Sequence, residues 1–165
     1  MFFIFEHNYW GEDFHIFYSS VFYKDKLNTF ADSMNFLFEK AGRWDYDYIA
    51  GTNVDDYYAL NRLEKQIEYA KQGYDIISSN FSLVRNDKIV LEHKFDKLNI
   101  KNELQKNHNP LCHPVIMYSR KFIENERYDP AELPVEDREL WKRTIDKYRF
   151  VILPENLCYH RVDNH

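Results

Sequence analysis

Short apolar runs alternate with stretches of helical spacing along most of the chain, and that alternation restricts the fold to an α/β architecture. Residues 46–52 read as a strand. Residues 59–71 read as the clearest helix, with Leu60, Leu63, Ile67 and Ala70 on one apolar face and Gly73 as its stop. A buried strand over 75–79 follows, then a hairpin over 81–95 turning at Asn86-Asp87. Further on come a short polar helix (98–106), a strand (114–118), a helical turn (120–125), a helix (135–147) and a strand (150–153) ended by Pro154. Upstream, 2–5 and 14–23 suggest strands. Residues 30–40 suggest a helix with Phe30, Met34 and Phe38 on one stripe, capped or led by Asp32 and Ser33. The expected architecture is a three-layer α/β sandwich with a mainly parallel central sheet.

At 165 residues the chain suggests a single domain, 1–165, long enough for a sizeable core. Aromatic residues make up 18%, so that core is expected to be rich in Phe and Tyr. The net charge of -5 argues against nonspecific nucleic-acid binding, which needs a basic excess to neutralise phosphates. Cys112 and Cys158 form neither a C-x-x-C pair nor a zinc pattern, and read as buried thiols of a reducing compartment rather than a disulfide. The start MFFIFEHNYW carries no basic leader, and no apolar run approaches the ~18 residues a membrane span needs. The expectation is a soluble, cytoplasmic protein with no transmembrane segment.

The chemistry-bearing feature is the stretch YDYIAGTNVDDYYALNRLEKQ, which sets Asp55 and Asp56 side by side between a strand and a helix. In an open α/β sheet ligands bind beyond the carboxyl ends of the strands. Paired carboxylates there suit a hard divalent cation that bridges to phosphate oxygens. The simpler alternative is that one aspartate caps the helix and the other is solvated.

Several further blocks bear on that choice. The run YIAGTNVDDYYALNRLEKQIEYAKQGYDIISS resembles the core of the family-2 glycosyltransferases, of the A-type nucleotide-diphospho-sugar transferase fold: a strand, a D-x-D-D-like turn, R-L-x-K-Q on a helix, then a strand with D-I-x-x-S. Cys112 to Tyr118 is similar to that family's H-P-x-x-M strand, Val135 to Arg143 to its E-D-x-x-L-W-x-R helix, and Leu157 to Val162 to its terminal segment. NTFADSMN, from Asn28, is similar to its N-x-G-x-x-x-x-N step, with Thr29 in place of the usual glycine. The resemblance runs from Asn28 to the end.

The resemblance implies inverting transfer of a sugar from a nucleotide-diphosphate donor to a hydroxyl of a glycan, lipid-linked or protein acceptor, with Mn2+ or Mg2+ as cofactor. It implies Asp137 as the catalytic base, Asn53, Asp55 and Arg62 as donor-binding residues, and Asp56, Asp55 and His160 as metal ligands. Read without the resemblance, Asp137 is a first-turn helix carboxylate favoured by the dipole, Trp141 is core, His113 a satisfied structural histidine and His160 a surface one. Arg62 either ion-pairs with the aspartate turn or lies solvated. Only 27 residues precede Asn28, about half of what the family has there, so the chain reads as truncated at its N-terminal nucleotide-binding part. Glu6, Glu12 and Asp13 are candidates for a base-reading carboxylate. The missing strand leaves a gap: either the sheet rearranges, a partner chain fills it (a homo-oligomer with a second copy completing the sheet), or the chain is a minimal or degenerate member. The competing class is a non-catalytic glycosyltransferase-like binding or assembly module. A magnesium-dependent phosphohydrolase lacks an evident nucleophile motif.

Overall fold

In the computed structural model, the described residues are 3–6, 17–20, 29–95 and 98–162. Strands β1 (Phe3–Glu6) and β2 (Phe17–Ser20) pair antiparallel in a sheet of their own. The expected strands over 2–5 and 14–23 therefore exist in part. Glu6 is in β1, while Glu12 and Asp13 fall outside the described residues.

The second sheet has six strands: β3 (Tyr48–Ala50), β4 (Tyr57–Tyr58), β5 (Ile76–Arg85), β6 (Lys88–His93), β7 (Met117–Ser119) and β8 (Phe150–Arg161). Their order is β3-β7-β5-β8-β4, with β6 pairing the outer half of β5. The expectation of a mainly parallel sheet is corrected here. Of the five pairings only β5–β8 is parallel; β3–β7, β7–β5, β5–β6 and β8–β4 are antiparallel. The cause is β7, which enters between β3 and β5 from the opposite direction. Strands β3, β5 and β8 still run the same way, so their carboxyl ends share one edge. Strand β4, absent from the sequence reading, is too short to show an alternation.

A second correction concerns the end of the chain. Strand β8 does not stop at Pro154. The register with β5 passes from Ser79↔Leu153 to Asn80↔Asn156, so Pro154 and Glu155 bulge out of the ladder where no N–H is needed. Asn80 holds the bulge: its Nδ2 donates to Pro154 O (3.0 Å) and its Oδ1 accepts from Phe95 N (2.6 Å). The strand then continues to Arg161, which carries His160 well beyond the expected end.

Helix α1 (Phe30–Ala41) begins with a capping box: Thr29 Oγ1 accepts from Asp32 N at 3.0 Å and Thr29 N donates to Asp32 Oδ2 at 3.1 Å. The cap is thus Thr29, at the position where the resembling pattern has glycine. Helices α3 (Ile100–Gln105), α4 (Arg120–Asn125) and α5 (Glu136–Thr144) lie within the spans expected for them. The hairpin turns at Asn86 (φ 49°) and Asp87 (φ 57°), the pair of left-handed residues that a tight two-residue turn requires.

Adjacent residues of β5 face opposite cores. Ile76 packs with Met34, Phe38, Tyr118, Phe122 and Trp141 from α1, β7, α4 and α5. Ile77 packs with Val115, Met117, Leu153, Leu157 and Cys158 beneath the single helix α2 (Arg62–Ala70). The sandwich is therefore lopsided, and a regular three-layer arrangement is not clearly formed. Both cysteines are buried free thiols, as expected.

Helix α2 corrects the amphipathic reading in part: Leu63, Ile67 and Ala70 pack on the core as expected, and Leu60 does not. Leu60 precedes the helix and is fully exposed, while Arg62 (4% exposed) and Gln66 (0%) face inward with Ala70. Gln66 Nε2 donates to Ile77 O (3.1 Å) and Val115 O (2.6 Å), and its Oε1 accepts from Arg62 Nε (3.0 Å). Removing it strands buried carbonyls at a cost of about 1–3 kcal/mol. Gln66→Leu, which keeps the volume, is therefore expected to lose about that much stability in urea unfolding at unchanged m-value. A midpoint equal to that of the native chain would show that these bonds contribute nothing net.

Candidate active site

The carboxyl end of β3 leads into the aspartate turn, and three contacts set its geometry. Gly51 N donates to Ile116 O at 2.8 Å, which extends the β3–β7 pairing past the strand end. Arg62 Nη2 donates to Gly51 O at 2.6 Å from below. The Tyr58 hydroxyl accepts from Asn53 N at 2.7 Å and donates to Pro114 O at 3.2 Å, so it joins the turn to the segment entering β7.

Arg62 is neither ion-paired with the aspartates nor solvated. It is buried, with its guanidinium carbon 4.5 Å from the centroid of the Tyr58 ring. Burial pulls its pKa down from the usual value. The guanidinium nevertheless remains charged, held by two backbone and amide oxygens and one aromatic face. Tyr58 is in turn pushed well above the ordinary phenol value by burial.

Within the turn, Asn53 is half-buried and Asp55 exposed. Asp56 is turned inward and its side chain is wholly buried. Asp56 Oδ1 accepts from Arg161 N at 3.0 Å and lies 2.8 Å from His160 Nδ1. The extension of β8 past Pro154 is what delivers both partners. His160 is held above the ordinary histidine pKa by its hydrogen bond to Asp56, reinforced by the charges of Asp56 and Asp55, with partial burial opposing. Asp56 Oδ2 is buried and has no hydrogen-bond partner among the described residues. An orphaned carboxylate oxygen beside a histidine fits one ligand position of a divalent cation. Among the described residues, however, no group of three or more His, Cys, Asp or Glu side chains is arranged to hold a metal ion. One carboxylate position alone meets the needs of a magnesium-like cation only where waters and substrate phosphates supply the rest.

Asp137 lies on the same edge of the sheet, in the first turn of α5. Its Oδ1 accepts from Arg138 N at 2.6 Å and its Oδ2 from Asn109 Nδ2 at 2.8 Å. Asn109 belongs to the loop that leads into β7, so it ties α5 to the segment already joined to the aspartate turn by Tyr58. Burial pushes Asp137 above the ordinary carboxylate range, against the pull of these two hydrogen bonds. Behind it lies a hydroxyl–imidazole cluster: His113 Nε2 is 3.0 Å from Tyr128 Oη and 3.3 Å from Tyr118 Oη. Desolvation pushes His113 down to about 4, so it is neutral and structural. Trp141 is fully buried core.

The structure thus brings together Asp56 with His160, and Arg62 under their turn. It leaves Asp55 exposed at the rim and puts Asp137 on the neighbouring helix end. The sequence reading missed Tyr58, Asn109 and Gln66. Only the R-L-x-K-Q spacing hinted at Gln66, since it puts Arg62 and Gln66 one helical turn apart.

No known protein-family pattern matches the chain. It is similar to two curated glycosyltransferases. An uncharacterized glycosyltransferase from Methanocaldococcus jannaschii is 32% identical over 124 residues, covering 71% of this chain and 42% of the relative. The O-antigen biosynthesis glycosyltransferase WbnJ from Escherichia coli is 28% identical over 124 residues, covering 72% of this chain and 49% of the relative. The chain spans less than half the length of either relative. Among the described residues no helix is long and apolar enough to cross a membrane.

Tyr58→Phe keeps the ring under Arg62 and removes only the hydroxyl. It is expected to cost about 1–2 kcal/mol and to speed hydrogen exchange at the Asn53 amide. Unchanged exchange at Asn53 would show that the turn is held by other contacts.

Proposed function

We propose that the chain is the donor-binding and catalytic part of an inverting family-2 glycosyltransferase, moving a sugar from a nucleotide diphosphate to an acceptor hydroxyl. The observation that carries this reading is the pair of carboxylates at one sheet edge, Asp56 with an orphaned buried oxygen and Asp137 with a raised pKa. Similarity to curated glycosyltransferases supports the reaction class.

On this reading Asp137 is the general base. As the acceptor oxygen forms its bond to the anomeric carbon, the bond from that carbon to the diphosphate breaks on the opposite face, and the acceptor proton passes to Asp137. Attack opposite the leaving group inverts the anomeric configuration. Asn53 and Asp55, at the rim, face the donor. Arg62 serves it indirectly by fixing Gly51 and the Tyr58 ring. Asp56 would offer one carboxylate position to Mn2+ or Mg2+, with Asp55 at the rim and His160 on its other oxygen rather than in a formed three-residue cluster; the chemistry of the ion would be to neutralise charge on the departing diphosphate.

Asp137→Asn is expected to reduce transfer by at least 100-fold while leaving donor affinity within about twofold, because it removes the base and not the diphosphate clamp. Retained turnover would refute the assignment. Asp56→Ala is expected to abolish the thermal stabilisation that nucleotide diphosphates give in the presence of Mn2+; a ligand at 100 times its Kd adds about 2.7 kcal/mol to the folded state. If no nucleotide diphosphate stabilises the native chain, the domain is a non-catalytic module instead. Since the base must be deprotonated and burial raises its pKa, transfer is expected to fall as pH drops, with the acidic limb above the ordinary Asp value of about 3.9.

A further inference from the structure

We propose that Asn109 is the positioning residue for the Asp137 carboxylate, aiming one of its lone pairs at the acceptor hydroxyl; this rests on reading Asp137 as the base. The orientation of the amide is set by its own loop. Asn109 Oδ1 accepts from Leu111 N at 3.2 Å. The side-chain oxygen is therefore committed to its own loop, and the Nδ2 donor must face Asp137 Oδ2, 2.8 Å away. The assignment is self-consistent, since the flipped amide would set oxygen against carboxylate and N–H against N–H.

The loop that carries Asn109 is itself anchored to α5. Asn107, at φ 64°, presents its backbone oxygen to Arg138 Nη1 (2.9 Å) and its side-chain oxygen to Lys142 Nζ (2.5 Å). Both cations are further held by Glu139, at 2.9 and 3.0 Å. Two side chains one turn apart on α5, Arg138 and Lys142, thus grip Asn107, and Asn109 meets Asp137 two residues further along the same loop. With Oδ1 engaged by Arg138 N and Oδ2 by Asn109, the carboxylate plane is fixed from two sides. A carboxylate offers about four lone-pair sites, so lone pairs remain for an incoming hydroxyl, and their direction is set by the two donors.

The charged group that acts on Asp137 from its own helix is Arg138. The Asp137 charge reaches Tyr118 and Tyr128, and that of Glu136 reaches Tyr128, but both phenols are pushed upward and stay neutral across the working range. Asn109 is therefore the neutral donor, from outside the helix, that stabilises the ionised base. A packing residue at this place would not influence the protonation of Asp137.

The test is the pH dependence of kcat, which reports the base in the enzyme–substrate complex. Asn109→Ala is expected to lower kcat roughly 10- to 100-fold, with donor KM unchanged and the acidic limb displaced upward by about one pH unit. Asn109→Asp has the same shape but replaces the donor with a second carboxylate. Its limb is expected to move further upward, because two facing carboxylates resist ionising together. Asn109→Asp also guards against a folding defect in the alanine variant. If both variants keep the native limb while Asp137→Asn is inactive, Asn109 only packs and the inference falls alone. If Asp137→Asn remains active, the base assignment falls and takes this inference with it.

Discussion

One buried polar knot sets the position of everything at the working edge. Arg62 and Gln66 project one turn apart from the inner face of α2 and hydrogen-bond to each other. Between them they reach the carbonyls of Gly51 after β3, Ile77 in β5 and Val115 before β7. These belong to three neighbouring segments of a sheet whose directions do not agree. A leucine in place of either residue would cover the sheet equally well but would not fix the height of α2 against it. Buried polar groups that are fully satisfied specify one arrangement where apolar packing tolerates several. The charge of Arg62 costs desolvation, and the Tyr58 ring and two oxygens offset it without a carboxylate partner. That leaves the nearby aspartates uncommitted to the arginine. Had Arg62 paired with Asp56, the carboxylate would have been neutralised internally.

The knot also explains which parts of the fold the sequence made legible. Where an element reports on itself, the reading succeeds. The capped helix beginning at Phe30, the Asn86-Asp87 turn and the short helices after Asn99 and Ser119 each carry their signal in adjacent residues. In helix α2 the hydrophobic pattern found Leu63, Ile67 and Ala70 on the core side but not the buried polar pair Arg62 and Gln66 beside them, and Leu60, expected on the same face, is bare to solvent. Strand direction carries no local signal, so β7 was free to run against its neighbours. Pro154 was read as a terminator because its missing N–H ends a ladder. The bulge opposite Asn80 places that residue where no ladder bond is made.

The site divides in the same way. Asp55, Asp56 and Asp137 were visible as residue types in a recognisable order. Their partners were not. His160 meets Asp56 across 104 positions of sequence, and only because β8 survives Pro154. Asn109 sits ahead of the Cys-His-Pro block with nothing in its neighbours to mark it, and its role arises from a loop folded onto α5. For Arg62 the sequence offers ion pairing with the aspartate turn or solvation, since nothing local marks it as buried. Burial decided otherwise.

The two candidate carboxylates illustrate how environment, rather than residue type, divides labour. Asp56 has one oxygen engaged by a histidine and a backbone amide, and a second oxygen enclosed without a donor among the described residues. Asp137 has both oxygens engaged by neutral donors and is raised by burial all the same. A carboxylate in that state is a better proton acceptor than an exposed aspartate and a poorer cation ligand, since its lone pairs are already directed. Under the proposed function, these different surroundings would suit Asp56 to charge neutralisation and Asp137 to proton removal. The loop from Asn107 to Pro114 contacts both regions. One end of that loop holds α5 through Asn107 and Asn109, and the other accepts the Tyr58 hydroxyl that holds the aspartate turn. A shift of this loop would act on Asp137 through Asn109 and on the aspartate turn through the Tyr58 hydroxyl, while Asp56 itself is held by His160 and Arg161 of β8.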